Sequence, residues 1–104
     1  MNLVEAAYRD TETFPRTETF GLTAQIRRAA ISIPSNLAEG SARNSRKELH
    51  QFVGISCGSL AELQTQLQIA IRLKYLQSDA QCIGLATRVS KLVRGLRKSL
   101  RSEE

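Results

Sequence analysis

An amphipathic run with a proline inside it, residues 22–40, constrains the fold more than any other part of this chain. Its apolar residues recur at helical spacing and mark one side of a helix: Leu22, Ile26, Ala29, Ile33 and Leu37. Pro34 lies inside this pattern, where it removes a backbone hydrogen bond at a cost of about 3 kcal/mol in an isolated helix. The pattern therefore predicts a helix that is kinked at Pro34 and held in place by its neighbours.

The second half of the same run carries residues that can satisfy backbone groups near a kink and at a helix end. Ser35 and Asn36 have short polar side chains that can bond to backbone groups freed by the proline. Gly40 can adopt the left-handed conformation that ends many helices. We therefore predict that this helix ends at Gly40.

Three further helices and no strand are predicted. The first covers about residues 3–13 and is interrupted by Pro15. Its inward residues are predicted to be Leu3, Val4, Ala7, Tyr8 and Thr11. A long third helix covers about residues 46–75 and follows a Ser45–Glu48 capping-box pattern. Its inward residues are predicted to be Leu49, Phe52 or Val53, Ser56, Leu60, Leu63, Leu67 and Ala70.

The last helix is predicted over about residues 79–101, after a second capping-box pattern at Ser78 and Gln81. Its apolar residues cluster on one side of a helical wheel: Leu85, Val89, Leu92, Leu96 and Leu100. Residues 102–104 are expected to fray. Short connections between four helices indicate an all-α, antiparallel up-down-up-down bundle, and the length suits a single domain over residues 1–104.

The third helix also carries small and apolar residues away from its main seam. Gly54, Gly58 and Ala61 fall near one side, where we expect a neighbouring backbone to approach closely; the alternative is a ligand cavity. Three isoleucines also lie off the seam, and self-association would bury them: Ile55, Ile69 and Ile71.

Composition excludes several classes of protein. No apolar run approaches the 18 or so residues that cross a bilayer, and the first ten residues lack the order of a signal peptide, so we expect a cytoplasmic protein without membrane contact. Cys57 and Cys82 are interpreted as reduced packing residues. With His50 as the only histidine, the chain offers neither a catalytic triad nor a metal site. We predict a protein that is not an enzyme and uses no cofactor or metal.

Positive charge is concentrated in the second part of the chain. Residues 1–42 hold four Arg or Lys against five Asp or Glu, whereas residues 43–104 hold eleven against five. On the last helix, Lys91, Arg94, Lys98 and Arg101 lie nearly opposite the leucines, and Arg88 and Arg97 flank them. Five of these cations are predicted to neutralise phosphates of a nucleic acid: Arg88, Lys91, Arg94, Lys98 and Arg101. The alternative is a solvated helix face that complements the helix dipole.

Two other basic groups have competing interpretations. Arg43, Arg46 and Lys47 surround the loop before the long helix, where they could also bind phosphate or could serve in capping and loop solvation. For Arg27 and Arg28 we expect a structural role, such as an ion pair with Glu39 or Glu62, rather than contact with a ligand.

The run QIRRAAISIPSNLAEGSAR, followed by Ser45, Glu48 and Phe52 and then by GSLAELQTQLQIA, resembles a bacterial four-helix bundle family. That family includes proteins encoded in intervening sequences of 23S rRNA genes and accessory variability determinants of diversity-generating retroelements. The resemblance covers about residues 8–100. It implies a ring-shaped homopentamer, and for some relatives it implies binding to RNA or DNA and to a reverse transcriptase.

Two functions follow as hypotheses. In the first, the chain is a nucleic-acid-binding accessory protein that uses the basic face of its last helix without reading sequence. Since the chain has few aromatic residues, at 5%, a base-stacking platform is not expected. In the second, the chain is an oligomeric scaffold whose partner is another protein.

Overall fold

The computed structural model describes residues 2–102, and this part of the chain contains four α-helices, one short 3₁₀ helix and no strand. The α-helices are α1 (Asn2–Asp10), α2 (Leu22–Ser41), α3 (Arg46–Arg72) and α4 (Gln81–Ser102). The 3₁₀ helix, Arg16–Glu18, connects α1 to α2. Of the residues expected to fray, Ser102 ends α4, while Glu103 and Glu104 lie outside the described residues.

The four helices contact one another in chain order and close into a bundle, because α1 packs on α2, α2 on α3, α3 on α4 and α4 on α1. Two contacts join α2 to α3. Ser56 Oγ of α3 donates a hydrogen bond to the Ile33 carbonyl at 3.0 Å, and Phe52, earlier in α3, lies against Gly40, later in α2.

The core of the bundle is aliphatic. Its largest fully buried apolar side chains come from α2 and α3: Ile26, Val53, Leu60, Leu63 and Leu67. Removing a side chain of this size from water contributes about 1.5–3 kcal/mol before the entropy cost of ordering it. Phe14 and Tyr75 close one end of the bundle, with ring centroids 5.5 Å apart. No helix within residues 2–102 is both long and apolar enough to cross a bilayer.

Helix α2 runs through Pro34 as the sequence predicts, and the kink itself stays a prediction. Asn36 Nδ2 donates to the Ser32 carbonyl at 2.8 Å, so this side chain does bond to the backbone of the preceding turn. The predicted role of Gly40 is wrong. Gly40 is buried within the helix, and no described glycine has a positive φ.

Gly40 is needed for close packing rather than for ending a helix. A Cβ at this position would lie 2.7 Å from Phe52 Cβ and 3.1 Å from Leu49 Cδ1 of α3. Since real Cβ atoms do not approach that closely, only glycine lets α2 and α3 meet at this distance.

Helix α3 begins as predicted and ends earlier than predicted. Ser45 caps it, because its Oγ accepts a hydrogen bond from the Glu48 amide at 3.1 Å. At the other end, Lys74 has a φ of 64°, the Tyr75 amide donates to the Ala70 carbonyl at 2.9 Å, and the Lys74 amide donates to the Ile71 carbonyl at 3.0 Å. This is a Schellman motif with lysine in the position that usually holds glycine.

The start of α4 is held by α1 rather than by the predicted capping box. The Asp10 carboxylate accepts a hydrogen bond from the Cys82 amide at 3.0 Å, and Arg9 donates to Gln81 Oε1. The prediction that Ser78 and Gln81 cap this helix is therefore wrong, because a carboxylate from a distant part of the chain takes that position. Helix α1 is also shorter than predicted, since Thr11 follows its last turn.

Candidate nucleic-acid interface

Helix α4 is rotated relative to the orientation that its leucines suggest. Leu92 is 68% exposed and Leu96 is 40% exposed, although the sequence pattern predicts that both face the core. The buried positions are Cys82, Ala86, Ser90, Val93 and Leu100. At about 100° per residue, the buried face lies roughly 60° from the centre of the leucine cluster. This rotation brings one edge of the basic face towards α3.

The rotation sorts the basic residues of α4 into two sets. Arg94, Lys98 and Arg101 line one groove between α3 and α4, together with Arg97, which the sequence placed only at the flank of the basic face. Arg88 and Lys91, the other two predicted binding residues of α4, are exposed but do not line this groove. The structure therefore brings together three of the five predicted cations of α4 and adds Arg97.

The floor of this basic groove is formed by α3 through Gly54, Cys57 and Gly58. The Arg97 guanidinium lies over Gly54, since a Cβ built on Gly54 would be 3.8 Å from Arg97 Nη2. A Cβ built on Gly58 would meet nothing within 4 Å. The prediction that Gly54 and Gly58 let a neighbouring backbone approach is thus wrong within the described chain. These glycines leave space instead.

The basic groove has a volume of about 520 Å³, and the charged residues that line it are all positive. Four of its seven lining residues are Arg or Lys, and none of the lining residues within the described part of the chain is acidic. All four cations come from the C-terminal half of α4, where the negative end of the helix dipole lies. Four positive charges outweigh the partial negative charge of about half a unit at this helix end, so the groove favours an anion.

The second predicted basic cluster is partly neutralised by its own surroundings. Arg43 lies 3.8 Å from a Glu39 carboxylate oxygen and 3.9 Å from a Glu48 carboxylate oxygen. Its guanidinium also covers the Phe52 ring, 5.1 Å from the ring centroid. Arg46 and Lys47 follow in the exposed first turn of α3. The contacts of Arg43 favour the loop-stabilising interpretation over phosphate binding for this residue.

Arg27 has the predicted structural role but not the predicted partner. Its Nε donates to Thr11 Oγ1 at 2.9 Å, its Nη2 donates to the Tyr8 carbonyl at 3.2 Å, and its guanidinium lies 4.6 Å from the Tyr8 ring centroid. These contacts join α2 to α1. Tyr8 is 38% exposed, so the prediction that it faces the core is wrong.

The two cysteines occupy different environments. Cys82 is fully buried, and burial together with the nearby Asp10 carboxylate raises the pKa of its thiol to about 12. Cys57 is half-buried and lines the basic groove. Tyr75 also has a raised pKa, because its hydroxyl donates to Glu18 Oε2 at 3.1 Å and that bond favours the protonated form.

The family model of the 23S rRNA-intervening sequence protein matches residues 1–98. The chain belongs to this family. The match covers α1, α2, α3 and most of α4, and Arg101 is the one groove cation beyond it. No curated protein matches the chain significantly. Within residues 2–102, no three His, Cys, Asp or Glu side chains converge, and the prediction that the chain is not an enzyme stays a prediction.

Proposed function

We propose that this family member is a non-enzymatic nucleic-acid-binding accessory protein that contacts phosphate groups through the basic face of α4. The observation that carries the proposal is the convergence of Arg94, Arg97, Lys98 and Arg101 on one groove without a lining acid among the described residues. Like charges three or four positions apart on a helix disfavour each other by about 0.2–0.5 kcal/mol per pair, and a bound anion would relieve this repulsion. The family name also links the chain to ribosomal RNA genes.

The binding that we propose does not depend on nucleotide sequence. The cations can reach phosphates, which carry no sequence information, and no aromatic side chain lines the groove to stack on a base. Affinity should then fall steeply with salt because each neutralised phosphate releases condensed counterions.

The proposal is tested by reversing two charges in the groove. We expect the double variant Arg94→Glu, Lys98→Glu to bind labelled single-stranded RNA at least about tenfold more weakly at low salt in fluorescence anisotropy. Loss of two phosphate contacts should also reduce the slope of log affinity against log salt by about 1.4.

The matched control is the double variant Arg16→Glu, Arg72→Glu, which changes the net charge equally at two positions outside the groove. It should retain binding, and circular dichroism should show unchanged helicity in both variants. Equal loss in both variants would indicate attraction by net charge alone. Unchanged binding by the groove variant would contradict the proposal.

The antiparallel path and the self-association predicted from the sequence belong to the same proposal. The antiparallel path is supported for α2 and α3, where Phe52 contacts Gly40 and the later residue Ser56 bonds to the earlier residue Ile33. It is also supported for α3 and α4, where Gly54 lies near Arg97 and the later residue Leu67 lies near the earlier residue Ala86. In a ring of subunits the basic groove would recur in each copy, which would raise the local potential and the avidity for a long strand.

The alternative function is an oligomeric scaffold that binds another protein. It is favoured by apolar side chains that remain exposed on α3, Ile55 (50%) and Ile69 (43%), and directly after it, Leu73 (50%). Ile71, the third isoleucine assigned to this surface, is instead half-buried against the core. A purified oligomer that binds no RNA or DNA at low salt would favour this alternative.

A further inference from the structure

The basic groove runs along two neighbouring helices, with the cations of α4 on one side and the glycines of α3 as its floor. Its volume of about 520 Å³ falls within the roughly 300–1,000 Å³ of small-molecule sites, so it can take a short stretch of one strand. A nucleic-acid duplex is too wide to enter a space of this size and could rest only on the rim. The side chains from Arg94 to Arg101 extend along about 10 Å of the helix axis, at 1.5 Å per residue, which is long enough for successive phosphates of one strand.

The glycines in the floor are not required by packing within the chain. Glycine inside a helix is less favourable than alanine by about 0.5–1 kcal/mol. A Cβ added at Gly58 would have no atom within 4 Å, and one added at Gly54 would meet only the Arg97 side chain, at ordinary contact distance. Both sites could therefore hold a side chain without disturbing the fold. Their effect is to keep the floor of the groove low beneath the cations.

From these observations, and on the basis of the proposed function, we infer that the ligand is an unpaired nucleic-acid strand whose sugar-phosphate backbone lies in the groove over Gly54 and Gly58. Its phosphates face the guanidinium groups of Arg94, Arg97 and Arg101 and the ammonium group of Lys98. Its bases point outwards, because the described lining offers neither an aromatic ring nor an acidic hydrogen-bond acceptor to them.

The inference predicts that filling the groove without changing its charge prevents binding. We expect Gly58→Leu to bind a labelled oligouridylate at least about tenfold more weakly than the original chain in anisotropy at low salt. Gly58→Ala adds a single methyl group and should change affinity by less than about twofold. Helicity should be retained in both variants, since leucine and alanine are better helix formers than glycine.

Gly84→Leu is the matched control, because Gly84 also lies in a helix and a Cβ there meets nothing within 4 Å. It makes the same substitution outside the groove and should leave affinity unchanged. A second comparison uses duplex RNA of the same length and sequence composition, which should bind at least about tenfold more weakly than the single strand despite its higher charge density.

The outcomes separate this inference from the proposed function. If Gly58→Leu binds normally while Arg94→Glu, Lys98→Glu does not, the strand does not lie in the groove. The basic face of α4 would then still bind nucleic acid. If duplex binds as tightly as single strand, the assignment of an unpaired strand is overturned. If the original chain binds neither probe at low salt, the proposed function fails as well.

Discussion

Glycine has opposite roles in two regions of the bundle. One region is the contact between α2 and α3 at Gly40, and the other is the groove over Gly54 and Gly58 of α3. At Gly40, on α2, the missing side chain allows contact, because a Cβ would lie 2.7 Å from Phe52 Cβ. At Gly58 the missing side chain leaves space, because nothing lies within 4 Å. The first region has the geometry of a close-packed core and the second that of a binding surface. Neighbouring atoms, rather than residue type, distinguish the two roles.

The largest expected effect comes from adding a side chain where the helices touch. Gly40→Val should lower the free energy of unfolding by about 2–3 kcal/mol, because its branched side chain must displace Phe52 and Leu49 or separate α2 from α3. Urea denaturation monitored by circular dichroism measures this change.

Gly58→Val is the matched substitution in the open region, and its unfolding free energy should be unchanged or slightly higher. Equal destabilisation at both positions would show that the two glycines do not differ, and the comparison would have to be abandoned.

A smaller effect distinguishes the two cysteines, of which Cys57 lines the groove and Cys82 is buried in the core. Cys57, in the groove, should react with a maleimide at least about tenfold faster than Cys82, which is buried beneath the start of α4. Mass spectrometry of singly labelled protein gives the two rates. Bound oligouridylate should slow the reaction at Cys57 and leave Cys82 unaffected; similar rates in the absence of ligand would contradict the structure.

The raised pKa of Cys82 also gives stability a pH dependence. Its thiol has an ordinary pKa of 9.0 and is raised to about 12 in the folded chain, so between these values the folded state binds more protons than the unfolded state. The unfolding free energy should therefore fall as pH rises from about 9 towards 12. Cys82→Ala should remove this part of the decline, while the part that comes from the raised pKa of Tyr75 remains.

The smallest expected effect concerns Lys74, which occupies a position in the turn after α3 that usually holds glycine. Lys74 has a positive φ in the turn after α3, so Lys74→Gly should raise the unfolding free energy by about 0.5–1 kcal/mol. Lys74→Ala keeps the steric penalty of a Cβ and should have almost no effect. A destabilising glycine would show that lysine makes contacts here that outweigh its backbone strain.

The sequence predicted the helices better than their ends. The apolar period of residues 22–40 and the Ser45–Glu48 pattern depend on neighbours in the chain, and both predictions are confirmed. The end of α3 at Lys74 and the cap of α4 by Asp10 were missed. The first uses a residue type that carries no signal for a left-handed turn, and the second uses a partner 72 positions away.

The candidate site was predicted in part. Spacing alone placed Lys91, Arg94, Lys98 and Arg101 on one cationic face, and all of these except Lys91 line the groove. It could not show that α4 rotates away from its leucines, because the core accepts smaller residues such as Ala86 and Ser90 in their place. Arg97 and the glycine floor enter the site only through that rotation. The spacing of Gly54 and Gly58 on α3 was the sequence signal for this groove, and a ligand cavity was the alternative interpretation of that spacing.

Helices α2 and α4 are capped by carboxylates that belong to other segments of the chain, and this affects how the structure unfolds. The first turn of α4 depends on Asp10, and the first turn of α2 depends on Glu18, whose carboxylate accepts from the Leu22 amide at 3.1 Å and from the Tyr75 hydroxyl. Undocking of α1 therefore uncaps α4 at once. Fraying at this end of the bundle should spread from one helix to the next, so that the whole end melts as one cooperative unit.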